Sequence, residues 1–205
     1  MRFGLACGLF ALAATAFGDS IVVNGDFGTG DFTGWTNAGW DVTSASSAFG
    51  SVPTAFFADT GCVGSNCIGP GGAFISQALV TDPGGTYTLS FDYNPDAFES
   101  SPGGPSEMLV QFDGSNAIDL VFGMTPVDPQ VTASTGFNTY VVSGLTASTG
   151  STVLEFFGRQ DPSGDGLTNI SVTETSSSAP EPASYLMAAI GFIALGAGKL
   201  RARRR

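Results

Sequence analysis

The stretch "TYTLSFDY", Thr86–Tyr93, alternates apolar and polar side chains along its length. Successive side chains of an extended chain point to opposite faces, so Tyr87, Leu89, Phe91 and Tyr93 share one face of a strand. That face is wholly apolar or aromatic and asks to be covered by a second layer.

Working outward, the same period returns. "EMLVQFDG" (Glu107–Gly114) ends in Asp113-Gly114, a turn dipeptide, and is followed by "AIDLVFG" (Ala117–Gly123), which predicts a hairpin. Further strands are predicted at Ile21–Val23, Trp40–Thr43, Ala55–Ala58, Ala73–Leu79, Asn138–Ser143, Thr152–Phe157 and Asn169–Thr173. About ten short strands separated by Gly-rich turns, with helical periodicity nearly absent, predict a two-sheet β-sandwich over residues 19–175.

Charge narrows the function. Asp19 to Glu181 holds all eighteen acids of the chain against one base, Arg159, a formal charge of −17. Nucleic acid is excluded as a partner, because phosphate contacts need a basic patch. With no histidine in the chain, Ser-His-Asp and Cys-His nucleophiles and His-based zinc sites are closed off. Cys62 and Cys67, in "CVGSNC", are spaced for a local disulfide and not for a Cys-x-x-Cys redox pair. A loop this short restricts the unfolded chain by about 2 kcal/mol.

The two ends differ from the middle. Residues 1–18 carry Arg2, an apolar run from Phe3 to Ala13, and the small-x-small triplet Ala16-Phe17-Gly18, the parts of a secretory signal peptide. At the other end, the polar "ETSSSA" (Glu174–Ala179) leads into Pro180-Glu181-Pro182, and residues 176–182 read as a flexible linker. An uncharged run of 16 residues, Ala183 to Gly198, follows, and residues 183–200 are predicted to form a single transmembrane helix. At ~1.5 Å per residue the run is slightly short of a ~30 Å hydrocarbon core, a gap that tilt and snorkelling by Lys199 would absorb. The tail, 201–205, is basic and is expected in the cytoplasm.

Pro180-Glu181-Pro182, a short apolar helix and an arginine-rich tail together resemble a PEP-CTERM sorting signal. The resemblance implies export and transient residence in the inner membrane. It further implies cleavage near Pro180–Pro182 by an exosortase-type processing enzyme, and release to the cell surface or extracellular space. A second resemblance concerns the middle of the chain. "VVNGDFGTGDFTGWT" (Val22–Thr36), "GGAFISQALVTDPGGTYTLSFDY" (Gly71–Tyr93) and "LTNISVTE" (Leu167–Glu174) are similar to the opening, middle and last strands of galactose-binding-like jelly-roll modules. That resemblance implies an all-β jelly-roll β-sandwich of carbohydrate-binding-module type.

It also implies a structural calcium between the opening motif and the last strand. Here Gly28 replaces the usual Glu and Thr168-Asn169 the usual acidic pair, leaving Asp26, Asp31 and Asn169 as candidate ligands. No other cofactor is expected. For an extracellular polysaccharide, the candidate contacts are Trp35, Trp40, Tyr93 and Phe98, with Phe56 and Phe57 behind them, although alternating strands bury aromatics by default. Tyr93–Glu107 is the longest Pro/Gly-rich connection and suits partner contact. The expected role is a non-enzymatic, adhesive or structural surface protein. The alternative is a carbohydrate-active enzyme or its accessory module, with Glu99 and Glu107, or Glu155 and Asp161, as the carboxylate pair.

Overall fold

The structure, a computed structural model, describes residues 19–45, 51–95, 106–122, 136–160 and 164–175. The predicted signal peptide, the predicted linker with Pro180, Glu181 and Pro182, the predicted transmembrane segment, the basic tail, Phe98, Glu99 and Asp161 lie outside the described residues. Among the described residues no helix is long and apolar enough to cross a membrane.

Ten strands are described: β1 (Thr36–Ala38), β2 (Asp41–Ser44), β3 (Phe56–Thr60), β4 (Phe74–Val80), β5 (Thr86–Asn94), β6 (Ser106–Phe112), β7 (Ser115–Phe122), β8 (Asn138–Thr146), β9 (Ser151–Gln160) and β10 (Asp165–Glu174). They form two five-stranded antiparallel sheets, β1-β4-β9-β6-β7 (sheet A) and β2-β3-β10-β5-β8 (sheet B). The molecule is thus an all-β jelly-roll sandwich. The stripe Tyr87, Leu89, Phe91, Tyr93 is buried as its period requires. Opposite it, sheet A contributes Ile75, Leu79, Met108, Val110, Leu154 and Phe156. The predicted hairpin joins β6 to β7, with Asp113 and Gly114 at φ 54° and 72°, the left-handed pair that a type I′ turn demands.

One predicted strand is absent. Ile21–Val23 makes a single backbone bond to β10, from Ile21 N to Val172 O at 2.9 Å, and does not join a ladder. Gln77 takes over the rest. It occupies an inward position of β4 between Ile75 and Leu79, and its amide accepts from Val23 N (2.8 Å) and donates to Val23 O (2.9 Å) and Gly34 O (3.0 Å). A buried amide in an apolar stripe costs free energy unless fully bonded, and here it closes the open side of the sandwich. β1, unread in the sequence, is three exposed residues that pair with β4 beside this closure.

The opening motif meets the last strand directly. Ile170 N donates to Gly25 O at 2.9 Å, and a Cβ on residue 25 would lie 2.0 Å from Ile170 O. Only glycine fits so close an approach. At Asn169, β10 bulges: Thr168 faces Asp92 and Ser171 faces Ser90, leaving one extra residue on β10. Asn169 takes φ 51° there, a left-handed conformation that Asn tolerates better than most residues.

Replacing Gln77 with Leu keeps the volume but strands the Val23 and Gly34 groups. Urea unfolding should show a loss of about 1–3 kcal/mol; an unchanged midpoint would show that the amide does not close the sandwich.

Candidate functional site

The sequence candidates are placed as follows. Cys62 and Cys67 form the disulfide. Trp35, Trp40 and Tyr93 are core residues at 8%, 4% and 0% exposure, so their rings fill the interior and offer no face to a sugar. The Tyr93 hydroxyl lies 2.9 Å from Ser106 Oγ, which donates to Asp165 Oδ1 at 2.9 Å. Because a carboxylate only accepts, the proton order runs from Tyr93 to Ser106 to Asp165. Burial, with the Asp165 charge adding to it, pushes the Tyr93 phenol well above its usual range.

The candidate calcium ligands are occupied by the protein. Asp26 Oδ1 accepts from Gly28 N at 3.0 Å, and Asp31 Oδ1 from Thr29 Oγ1 at 2.7 Å and Thr33 N at 2.9 Å. These bonds, those of Thr33 foremost, hold Asp31 below the ordinary carboxylate range. Asn169 does not join them: its amide donates to Asp92 Oδ2 at 2.6 Å, and Thr139 Oγ1 donates to Asp92 Oδ1 at 2.5 Å. Among the described residues, no three acidic or cysteine side chains converge to hold an ion. Asp26 and Asp31 each hold a turn of the opening loop through Oδ1, while Asn169 pairs with Asp92.

Two adjoining features remain at the surface. The first is a shallow groove of about 590 Å³ where the disulfide loop lies over the ends of β1 and β4. Gly39, Gly61, Gly71 and Gly72 form much of its wall, with Asn66 and Val63 beside them. Gly72 is packed so that a Cβ would stand 2.0 Å from Cys67 O. Backbone N–H and C=O groups are therefore exposed along the wall, fixed by the Cys62–Cys67 link. Gln160 N donates to Cys62 O at 3.0 Å and Gly158 N to Ala73 O at 3.3 Å, joining the loop to the end of β9. The connections 96–105, 123–135 and 161–163 leave from this same end of the sandwich, where β5, β7 and β9 stop.

The second feature is the outer face of sheet A, which begins at Phe74, next to the groove residue Ala73. In register across this face run Phe74, Phe157, Leu109 and Asp119. Phe74 and Phe157 have ring centroids 6.2 Å apart. On one side of that row stand Arg159, Glu107 and Val121, and on the other Ser76, Glu155, Gln111 and Asn116. Gln111 Nε2 donates to Asn116 Oδ1 at 3.0 Å. The single base of the region Asp19–Glu181 thus lies on this face, beside acids. Burial raises Glu107 above its usual range, and Asp119 adds to the rise against the pull of Arg159. Burial alone raises Glu155.

Phe74 and Phe157 were missed in the sequence, although a signal exists. "FF" at 156–157 lies inside a strand, so one ring must face outward. Phe156 faces the other sheet and Phe157 the outer face of sheet A, yet both are buried. The doublet at 56–57 behaves likewise, with Phe57 buried on the outer face of sheet B and packed on Phe137 at 5.6 Å between ring centroids.

No family model matches the chain, and no curated protein matches it. Solved structures do. TmCBM61, solved in complex with β-1,4-galactotriose, superposes with a TM-score of 0.52 at 14% identity, over 76% of this chain and 98% of that one. The CBM22-1 xylan-binding domain of Paenibacillus barcinonensis Xyn10C gives 0.51 at 14% identity, over 80% of this chain and 100% of that one. At such identity the likeness is one of fold: the chain has the jelly-roll sandwich of carbohydrate-binding modules.

Asp59, on the outer face of sheet B, supplies an electrostatic test. Burial raises its pKa to about 6, opposed by a hydrogen bond from Thr43 and reinforced by Asp41, its register partner on β2. The folded pKa exceeds the unfolded value of 3.8, so folding favours the protonated acid. Stability is therefore highest below pH 3.8 with respect to this group, and falls as pH rises through about 6. Asp59→Asn should stabilise the protein at pH 7 by about 1–2 kcal/mol after solvent screening, and by nothing at pH 3.5, in paired thermal melts.

Proposed function

We propose that this chain is an exported, non-enzymatic surface or matrix protein. In this reading its sandwich binds extracellular polysaccharide weakly through the outer face of sheet A and the adjoining groove. The observation that carries the reading is the juxtaposition on that face. The half-buried ring of Phe74, backed by the buried Phe157, is flanked by planar bidentate groups, Arg159, Glu107, Gln111 and Asn116. Sugar recognition needs that combination: apolar C–H faces lie on aromatic rings, while paired hydroxyls are met by carboxylate, amide and guanidinium groups. The glycine-walled groove adds backbone donors and acceptors at the end of the same face. Similarity of fold to a galactotriose-bound module and to a xylan-binding domain supports the substrate class.

The binding half is tested by titrating the full chain against soluble β-1,4-galactan and xylan. Phe74→Ala and Arg159→Ala should each weaken binding roughly ten-fold, the ~1.4 kcal/mol expected of a stacking or charge-assisted contact. Ser171→Ala, on sheet B, should leave it unchanged. Absence of binding to any polysaccharide, or binding indifferent to both sheet A variants, would sink the assignment.

Export and sorting rest on the ends of the chain, from the Arg2-led apolar run to Pro180-Glu181-Pro182 and the basic tail. Cleavage by an exosortase-type enzyme should leave a mature protein starting near Asp19 and ending near Pro182, read directly by intact mass from the native host. A mature mass retaining Arg205 would replace sorting by a permanent anchor.

A further inference from the structure

Asparagine is followed by glycine once in this chain, at Asn24-Gly25. The pair carries its own reactivity, because glycine has no side chain to shield its nitrogen from the asparagine before it. In a free chain Gly25 N gives up its proton to solvent and attacks Asn24 Cγ. The N–Cγ bond forms, the Cγ–Nδ2 bond breaks, and Nδ2 takes up a proton and leaves as ammonia. One water then opens the cyclic imide at either carbonyl, giving aspartate or isoaspartate. Water is the only reagent consumed.

The fold holds both reacting groups. Asn24 Nδ2 donates to Asp31 O at 3.0 Å and to Thr33 O at 3.2 Å, and Asn24 Oδ1 accepts from Thr29 N at 3.3 Å. The backbone is pinned as well. Asn24 O accepts from Phe27 N and from Trp35 Nε1, each at 3.2 Å, and Gly25 O accepts from Ile170 N at 2.9 Å. Asn24 sits at φ 52°, and Gly25 is wedged so that a Cβ would stand 2.0 Å from Ile170 O. For Gly25 N to meet Cγ, the side chain must swing about Cα–Cβ and give up its three bonds together. Both residues are half-buried, so the restraint is geometric and not an exclusion of water.

The product does not fit the loop it comes from. The carbonyls of Asp31 and Thr33 take N–H donors, and a carboxylate in their place only accepts. Its charge also joins Asp26 and Asp31 in the same loop. Isoaspartate lengthens the backbone by one carbon beside Gly25, where not even a Cβ has room. The loop is tied inward through Trp35, whose ring meets Phe156, and through Gly34, whose carbonyl accepts from Gln77.

We infer that Asn24 is a modification site gated by the fold: water converts it to aspartate or isoaspartate only when loop 24–35 opens, and the conversion bars the loop from reclosing. The outer face of sheet A takes no part, so the inference stands or falls apart from the polysaccharide reading.

Peptide mapping by mass spectrometry on the full chain tests it, following the Asn-to-Asp mass change and the isoaspartate isomer at Asn24 during incubation at mildly alkaline pH. Conversion should be at least about ten-fold slower in buffer than in urea, since local opening costs free energy. Trp35→Phe keeps a ring but loses the bond to Asn24 O. It should speed conversion in buffer and leave the rate in urea unchanged, which separates loop opening from intrinsic reactivity. Asn24→Asp, which builds in one product, should lower the melting temperature. Equal rates in buffer and urea overturn the inference. So does a rate in buffer that Trp35→Phe leaves unchanged, or an Asn24→Asp chain that melts with the wild type.

Discussion

Phe91 on β5 and Phe156 on β9 meet edge to face between the two sheets, ring centroids 5.4 Å apart. From Phe156 the aromatic contact passes to Trp35 and Phe27 in the opening loop, and from Phe91 to Tyr140, Tyr93 and Phe122 toward the other end. One line of rings therefore joins the opening motif, both sheets and the end where the long connections leave. Each of these side chains buries a large area and favours an offset or perpendicular ring geometry, which fixes the spacing and rotation of one sheet on the other. Alternation is the condition for it. A shift of one residue in β5 would turn Tyr87, Leu89, Phe91 and Tyr93 to solvent together.

That constraint explains how much could be read from sequence. Strand β5 and the Asp113-Gly114 hairpin are stated by local chemistry, since a period of two and a left-handed turn pair need no tertiary context. The Cys62–Cys67 link is equally local. The parts that escaped reading depend on distant partners. Ile21–Val23 has strand composition, yet a buried glutamine 54 residues away satisfies Val23 in place of a neighbouring strand. The resemblance to galactose-binding-like modules groups Asn169 with the opening motif, but the β10 bulge turns its amide to Asp92. A bulge inserts one residue without any mark in the composition.

The candidate site was legible only in part for the same reason. Trp35, Trp40 and Tyr93 were attractive as sugar platforms because aromatic residues serve both core and surface, and residue type cannot tell which. In the pair Phe156-Phe157 one ring completes the line through the core and the other lies on the outer face of sheet A beside Phe74, yet both are buried. Arg159, noticeable in the sequence as a solitary base, gains meaning only when β6 and β7 bring Glu107 and Asp119 to the same face.

Charge sets the character of the outer faces. The acids make the domain self-repelling. The outer face of sheet A mixes acids with one arginine and amides, and there burial and Asp119 raise Glu107 against the pull of Arg159. A face that holds its one base among acids and amides presents hydrogen-bond donors as well as acceptors, where a wholly acidic face would present acceptors alone.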